Sequence, residues 1–310
     1  MRIAVMGSGG VGGYFGARLA KGGSEVTFIA RGAHLKAMRE RGLEIESPLG
    51  GLHLETVRAT DDPGAIGPVD LVIVAVKLWD TEAAARQIEP LVRAGASVVS
   101  FQNGVDKDEV LGRVLGNEAV LGGVCYIGAS MTRPGVITHL GKMQRLVFGE
   151  YDGGASRRAE MLLEACRAGA IDAEISADVR RAIWEKFVFL VAMSGATTSM
   201  RSKIGPIREN PRTRAFFLDL MREVIAVARA RGVTLAPDFA EQRMAFCDTL
   251  LPEMTSSMHN DLERGNRLEL DWLSGAVAEL GPAFGTTTPL NRAVRDVLAL
   301  YANGKSGSTV

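Results

Sequence analysis

RIAVMGSGGVGGYFGARLA, residues 2–20, joins a short apolar run to a glycine-rich turn and then to a stretch with helical apolar spacing. Within it, Gly7, Ser8, Gly9, Gly10, Val11 and Gly12 read as G-x-G-x-x-G. In that pattern the first glycine allows a tight turn and the second lets the backbone approach a pyrophosphate. The third lets helix and strand pack closely, with the helix N-terminus facing the phosphates. A chain with 36 glycines can carry such a hexad by chance. Its place after a hydrophobic strand and before a helix makes it specific, and it predicts dinucleotide binding.

Working outward, short β-rich runs alternate with helical stretches. The strands are RIAVM (2–6), EVTFIA (25–30), DLVIVAV (70–76) and SVVSF (97–101). YFGARLAKGG, AHLKAMRERG and TEAAARQIEPLVRAG read as the intervening helices. Such alternation predicts a parallel sheet covered on both faces. LEIESPLGGLHLETV reads as an inserted hairpin turning at Leu49, Gly50 and Gly51. GGVCYIGASMTRPGVITHLG reads as a second antiparallel stretch, turning at Arg133, Pro134 and Gly135 and leading into RLVFGE. Beyond about residue 175 the strands cease. Long apolar-periodic segments follow at 177–197, 213–231, 271–280 and 291–301. The expected fold is α/β: a Rossmann-type dinucleotide-binding domain over residues 1–175, then an all-helical substrate domain over 176–310. The terminal GKSGSTV reads as a frayed tail.

Composition narrows the partners. Lys+Arg and Asp+Glu both number 36, so the formal charge is zero and neither nucleic acid nor an anionic membrane is the expected partner. A small molecule is. The three cysteines (Cys125, Cys166, Cys247) lie far apart without C-x-x-C spacing, which points to core thiols in a reducing cytoplasm. No stretch approaches the roughly 18 to 20 apolar residues of a membrane span. The N-terminus lacks a signal-peptide core. Among the four histidines (His34, His53, His139, His259) no pair has i, i+4 spacing, so no metal is expected. No G-x-S-x-G elbow for a serine hydrolase is present. His259 reads as a solvated helix residue.

The end of the second strand selects the coenzyme. NAD enzymes usually place a carboxylate there for the ribose 2′-hydroxyl. Here TFIAR ends on Arg31, whose guanidinium matches a 2′-phosphate through charge-assisted bonds, so NADP(H) is expected. Arg31 also fits a solvated strand-end arginine. Lys77, after DLVIVAV, and Asn103-Gly104, after SVVSFQ, point at the same crevice. They fit cofactor and substrate contacts, or a helix start and an ordinary turn.

In IWEKFVFLVAMSG, residues 183–195, one lysine opens a run of seven apolar residues. Ketone reduction by hydride leaves an alkoxide and needs a proton donor. Lys186 can be that donor: partly desolvated at the head of an apolar run, it is expected to have its pKa lowered toward the useful range, and its ammonium would polarise the carbonyl. A snorkelling lysine at a domain rim is the alternative. TSSMHNDLERGNRLELD adds Ser256 and Ser257 before a short helix ending at Gly265, then Glu269 and Asp271 at the start of the next. The serines suit a substrate carboxylate and the glutamate suits Lys186 or a substrate hydroxyl. Ser256 and Asp271 equally suit helix caps.

GSGGVGGYFGARLA, the Arg31 strand end, AVKLWDT, FQNGV, and WEKF followed by SSM and LELD occur in this order, with twelve positions from Ser257 to Glu269. Together they resemble the ketopantoate reductase (2-dehydropantoate 2-reductase) family across nearly the whole chain. The resemblance implies NADPH-dependent reduction of 2-dehydropantoate to pantoate, on the route to pantothenate and coenzyme A. It also implies Lys186 as general acid, Glu269 and Ser257 as substrate-binding residues, Asn103 at the nicotinamide and substrate end, and Arg31 and Lys77 as cofactor contacts. The family commonly carries asparagine four and eight positions after the lysine, and this chain has Leu190 and Ser194. Residues i, i+4 and i+8 share a helix face, so the substrate pocket is expected to be less polar. That change bears on which 2-oxo acid is preferred. Two alternatives stand beside this reading: another 2-hydroxy acid or opine-type dehydrogenase, and an NADP(H)-sensing protein without chemistry. The long helices offer a surface for a homodimer through the helical domain.

Overall fold

The opening run forms β1 (Arg2–Met6), whose last four residues are buried. Its side chains divide by alternation: Ile3 and Val5 enter one core cluster, Ala4 and Met6 another. A strand with apolar residues buried on both faces belongs inside a sheet covered on both sides. The structure, a computed structural model, describes residues 1–305. The tail reading for 304–310 therefore falls, past Lys305, outside the described residues.

After β1 come α1 (Gly10–Lys21), β2 (Glu25–Ile29), α2 (Gly32–Arg41), the hairpin β3 (Leu43–Glu46) and β4 (Leu52–Leu54), and β5 (Arg58–Thr60). Next are β6 (Leu71–Val74), α3 (Thr81–Arg93), β7 (Ser97–Ser100), α4 (Lys107–Leu115), β8 (Val120–Arg133), β9 (Val136–Gly149), α5 (Arg157–Ala168) and β10 (Asp172–Ile175). The strand order is β4-β3-β9-β8-β7-β6-β1-β2-β5, with β10 on β9. From β5 across to β8 all neighbours are parallel. One face of the sheet packs on α1 and α5, the other on α3 and α4.

Both expected hairpins form, β3 with β4 and β8 with β9. RLVFG is the continuation of β9. Gly135, at φ 83°, closes the β8–β9 turn in a conformation that favours glycine. The short strands β5 and β10 and the helices α4 and α5 were not read from the sequence. Three or four residues are too few to display a period-2 pattern.

The second part of the chain is helical: α6 (Val179–Met200), α7 (Ile204–Glu209), α8 (Pro211–Ala230), α9 (Phe239–Asp248), α10 (Ser257–Arg264), α11 (Ser274–Ala283) and α12 (Pro289–Leu298). Phe189 of α6 meets Phe217 of α8 and Phe246 of α9 edge-on, with ring centroids 5.8 and 5.3 Å apart. Glu223 of α8 accepts from the N–H groups of Leu290 and Asn291 at 2.8 and 2.9 Å, a carboxylate cap on α12. No described helix is long and apolar enough to cross a membrane.

Two compact units emerge, Met1–Ile183 and Trp184–Val310, and the division falls within α6. That lies beyond the 175/176 division read from the sequence. Val179 and Ile183, on the first turns of α6, pack with Val124 and Val147 of the sheet and so stay with the first unit.

Candidate active site

The glycine turn is shaped by close approaches. Gly7 has φ 97°, and a Cβ there would lie 2.7 Å from the Val76 nitrogen. A Cβ at Gly10 would lie 2.3 Å from the Ala129 carbonyl oxygen, and one at Gly12 would lie 2.1 Å from that of Gly7. Gly9 differs, since nothing lies within 4 Å of an added Cβ. Three glycines are thus required by the protein's own packing, while the fourth borders open space at the N-cap of α1. A pyrophosphate fits such a cradle, because a helix N-terminus presents N–H groups and the positive end of the helix dipole. No acidic residue occupies the first turn of α1 to oppose it.

Strand order places the cradle. β1 pairs with β2 on one side and β6 on the other, so the connections reverse direction there. Ligands of open α/β sheets sit beyond the carboxyl ends of strands at such a switch point. The N–H groups of Gly7 and Ser8 both donate to the Ile29 carbonyl at 3.3 Å, and the Ser8 hydroxyl donates to it at 3.0 Å. The turn is thereby tied to the end of β2, two residues before Arg31.

The other strand ends converge on this region. Arg31 is exposed at the N-cap of α2, its guanidinium 3.7 Å from the Asp80 carboxylate. Lys77 is exposed after β6, its Nζ 5.7 Å from the centre of the Trp79 ring. Asn103 is half-buried, and Gly104 after it has φ 84°, as a turn requires. Asp80 and Gln102 were not singled out from the sequence. Gln102 is buried: it donates to the Val76 carbonyl at 3.0 Å and to the Thr81 hydroxyl at 2.9 Å, and accepts from the Ser100 hydroxyl at 2.9 Å. One amide thus ties the ends of β6 and β7 to the start of α3. Its signal was the residue before Asn103, at a strand end where a buried amide can satisfy several partners.

In the helical unit, Lys186, Leu190 and Ser194 lie on one stripe of α6. Lys186 and Leu190 are half-buried. Ser194 is fully buried, and its hydroxyl has no hydrogen-bond partner among the described residues. Ser256 is the N-cap of α10: it accepts from the His259 N–H at 3.0 Å and pairs with the Thr197 hydroxyl at 2.9 Å. Ser257, the first residue of α10, is exposed. Glu269 is buried, 7% exposed, just before the 3-10 turn Leu270–Trp272. Asp271 lies inside that turn, and α11 begins only at Ser274, so it caps no α-helix.

His259 is 1% exposed, which corrects its reading as solvated. It lies with Met258 on the buried face of α10, its Nδ1 2.6 Å from the Thr255 hydroxyl. Burial holds its pKa below the usual histidine value. The three cysteines are buried free thiols, and burial pushes Cys166 up to about 12 and Cys247 up to about 11, so both are unreactive near neutral pH.

A second lysine, which the sequence does not mark as special, is fully enclosed. Lys107, at the start of α4, is 3% exposed. Its ammonium donates to the Ser100 carbonyl at 3.1 Å, the Gly123 carbonyl at 3.0 Å and Asp108 Oδ2 at 2.8 Å. The Tyr151 hydroxyl donates to the same carboxylate oxygen at 2.6 Å. Burial and then the Asp108 charge push the Tyr151 pKa up, so the phenol keeps its proton.

Comparison with known proteins agrees with this geometry. The family described as "Ketopantoate reductase PanE/ApbA" matches residues 3–153, and "Ketopantoate reductase PanE/ApbA C terminal" matches residues 178–302. A 2-dehydropantoate 2-reductase of Archaeoglobus fulgidus is 33% identical, covering 98% of each chain. An uncharacterized oxidoreductase of Bacillus subtilis, YkpB, is 31% identical over 97% of this chain and 99% of its own. The crystal structure of 2-dehydropantoate 2-reductase from Geobacter metallireducens superposes with a TM-score of 0.90 at 30% identity, over 97% of this chain and 99% of that one. With a Rossmann-type glycine turn at the switch point and both family regions matched in order, the chain is an oxidoreductase of the ketopantoate reductase family.

Proposed function

We propose that this protein is an NADPH-dependent reductase of a small 2-oxo acid, with 2-dehydropantoate as the first candidate and pantoate as its product. The observation that carries the coenzyme half of this reading is Arg31, an exposed guanidinium at the β2 end where a 2′-hydroxyl reader would have a carboxylate. Gly7, Ser8, Gly9, Gly10, Val11 and Gly12 would hold the pyrophosphate, Arg31 and Lys77 the phosphorylated ribose side, and Asn103 the nicotinamide end. Bound there, the coenzyme supplies a hydride to the carbonyl carbon of the substrate.

The remaining chemistry belongs to the protein. Lys186 polarises the substrate carbonyl through its ammonium and gives a proton to the oxygen as negative charge develops, a contribution of about 10²- to 10⁴-fold in rate for a positioned acid. Glu269, buried, fixes the charge state of Lys186 or accepts from a substrate hydroxyl. Ser257 and Asn103 bind the substrate. Leu190 supplies apolar surface on the lysine stripe and Ser194 only a short hydroxyl, which favours an apolar side chain on the 2-oxo acid. Buried free thiols suit a reducing cytoplasm. A homodimer through the helical unit is part of the same proposal and is checked by sedimentation.

The decisive experiment is a turnover panel: 2-dehydropantoate and branched, straight-chain and aromatic 2-oxo acids, each with NADPH and NADH, with and without added amino acids. Oxidation of NADPH by 2-dehydropantoate or a branched 2-oxo acid, without need of an amine, is the expected result. Turnover only with an added amine would make it an opine-type enzyme. Tight NADPH binding without turnover on any substrate would make it a sensor.

A further inference from the structure

One buried titratable side chain beside the glycine turn has no part in the chemistry above. His34, in the first turn of α2, is 8% exposed. Its Nδ1 lies 3.0 Å from the backbone nitrogen of Gly135, at the tip of the β8–β9 hairpin, and its Nε2 lies 2.8 Å from the carbonyl oxygen of Ser8. A backbone N–H can only donate, so Nδ1 is the acceptor and the ring proton sits on Nε2. The Nε2–H therefore donates to the Ser8 carbonyl. Burial keeps the His34 pKa below its usual value, in agreement with a neutral ring that accepts at Nδ1.

The partner at Nε2 matters because of peptide planarity. The Ser8 carbonyl and the Gly9 N–H belong to one trans peptide, so they point in opposite directions. Holding the carbonyl toward His34 aims the Gly9 N–H the other way. Glycine at position 9 makes this peptide plane easy to flip, since φ at a glycine is nearly unrestricted. The Ser8 hydroxyl anchors only the side chain, on Ile29, and leaves the peptide orientation to another contact.

We propose that His34 is a positioning residue for coenzyme binding: it locks the Ser8–Gly9 peptide in the orientation that offers the Gly9 N–H to a pyrophosphate, and it links that turn to the helix that begins beside Arg31. The role rests on the dinucleotide reading above and deepens it. Because it acts at the pyrophosphate, it serves NADPH and NADH alike, whereas Arg31 distinguishes them.

The test compares wild type, His34→Gln and His34→Asn by calorimetric titration with NADPH and NADH, alongside thermal midpoints and steady-state kinetics. Glutamine can place an N–H near the Nε2 position and keep the bond to Ser8. Asparagine can place an oxygen near Nδ1 and keep only the bond to Gly135. The expected result is an about tenfold rise in Kd for both coenzymes in His34→Asn, seen in coenzyme KM far more than in kcat, with most of it recovered in His34→Gln. A Kd in His34→Asn within about twofold of wild type would overturn the role, as would equal weakening in both variants that follows their thermal midpoints. Wild-type protein that binds neither coenzyme would overturn the dinucleotide reading together with it.

Discussion

Lys107, the first residue of α4, and Lys186, two turns into α6, lie in different units, and their surroundings differ. Lys107 is enclosed at the end of β7, with two carbonyls, the Asp108 carboxylate and, through it, Tyr151. Every donor of that ammonium has an acceptor, which is the condition for keeping a charge away from water. Such a lysine holds structure: it ties β7 to β8 at the strand end from which the loop carrying Asn103 departs. Lys186 is half-buried on an apolar helix. Partial access to solvent is what a group needs if its proton is to be given up and replaced in each turnover. The contrast teaches that a half-buried lysine heading an apolar run and a fully enclosed lysine are different signals, and that full enclosure with carbonyl and carboxylate acceptors argues for architecture.

Replacing each lysine separates the two roles. Lys186→Ala is expected to lower kcat by about 10²- to 10⁴-fold with little change in the thermal midpoint, read by steady-state kinetics and differential scanning calorimetry. An unchanged kcat would remove Lys186 from the chemistry and erase the contrast. Lys107→Met is expected to do the reverse. Leaving the Asp108 carboxylate buried without its cation costs about 3 to 5 kcal/mol of stability, measured by denaturant unfolding, while protein that remains folded keeps most of its kcat.

Arg31 extends the comparison to a cation open to solvent. Arg31→Ala should raise the KM for NADPH by about 10- to 100-fold and leave that for NADH nearly unaltered, as loss of charge-assisted bonds to a phosphate requires. Its neighbour Asp80 opposes a phosphate there, and Asp80→Asn should improve the NADPH:NADH ratio of kcat/KM by no more than about fivefold, because the pair is exposed.

The smallest effect concerns buried bases. His34 and His259 both have pKa values held below the ordinary 6.5, first by burial. The unfolded chain takes up these protons near the ordinary value and the folded chain only at lower pH. Their contribution to stability is therefore intact above about 6.5 and lost as pH falls below it toward the folded values. Thermal midpoints measured from pH 8 to 5 should decline through that window, and less so in His34→Gln. A flat profile would mean these imidazoles do not resist protonation as their burial implies.

Legibility differed between the units for physical reasons. The glycine turn, the four main parallel strands and both hairpins were readable because period-2 burial and turn glycines are local properties of a strand and its ends. The helical unit is readable as helical, yet the sequence predicts a solvated His259 where the structure buries it. The face that α10 buries is settled by what it packs against, and eight residues give the sequence too little to indicate it. Gln102, Lys107 and His34 carry no strong signal in the sequence for a related reason. Each acts through backbone carbonyls or N–H groups brought from distant segments: Val76, Gly123 and Gly135. Such partners leave no trace in residue type.

The sequence by itself determined the dinucleotide-binding sheet, the helical second half and the Arg31 strand end, together with a family resemblance carried by short motifs in order. These follow from periodicity, glycine conformation and charge, which neighbouring residues already express. Only the tertiary structure decided that Gly9 faces open space while Gly7, Gly10 and Gly12 are packed, that Lys107 is enclosed, and that Ser256 caps α10 while Asp271 caps no α-helix. Those outcomes depend on which distant backbone atoms meet each position, and that is settled when the strands take their order and the helices close over them.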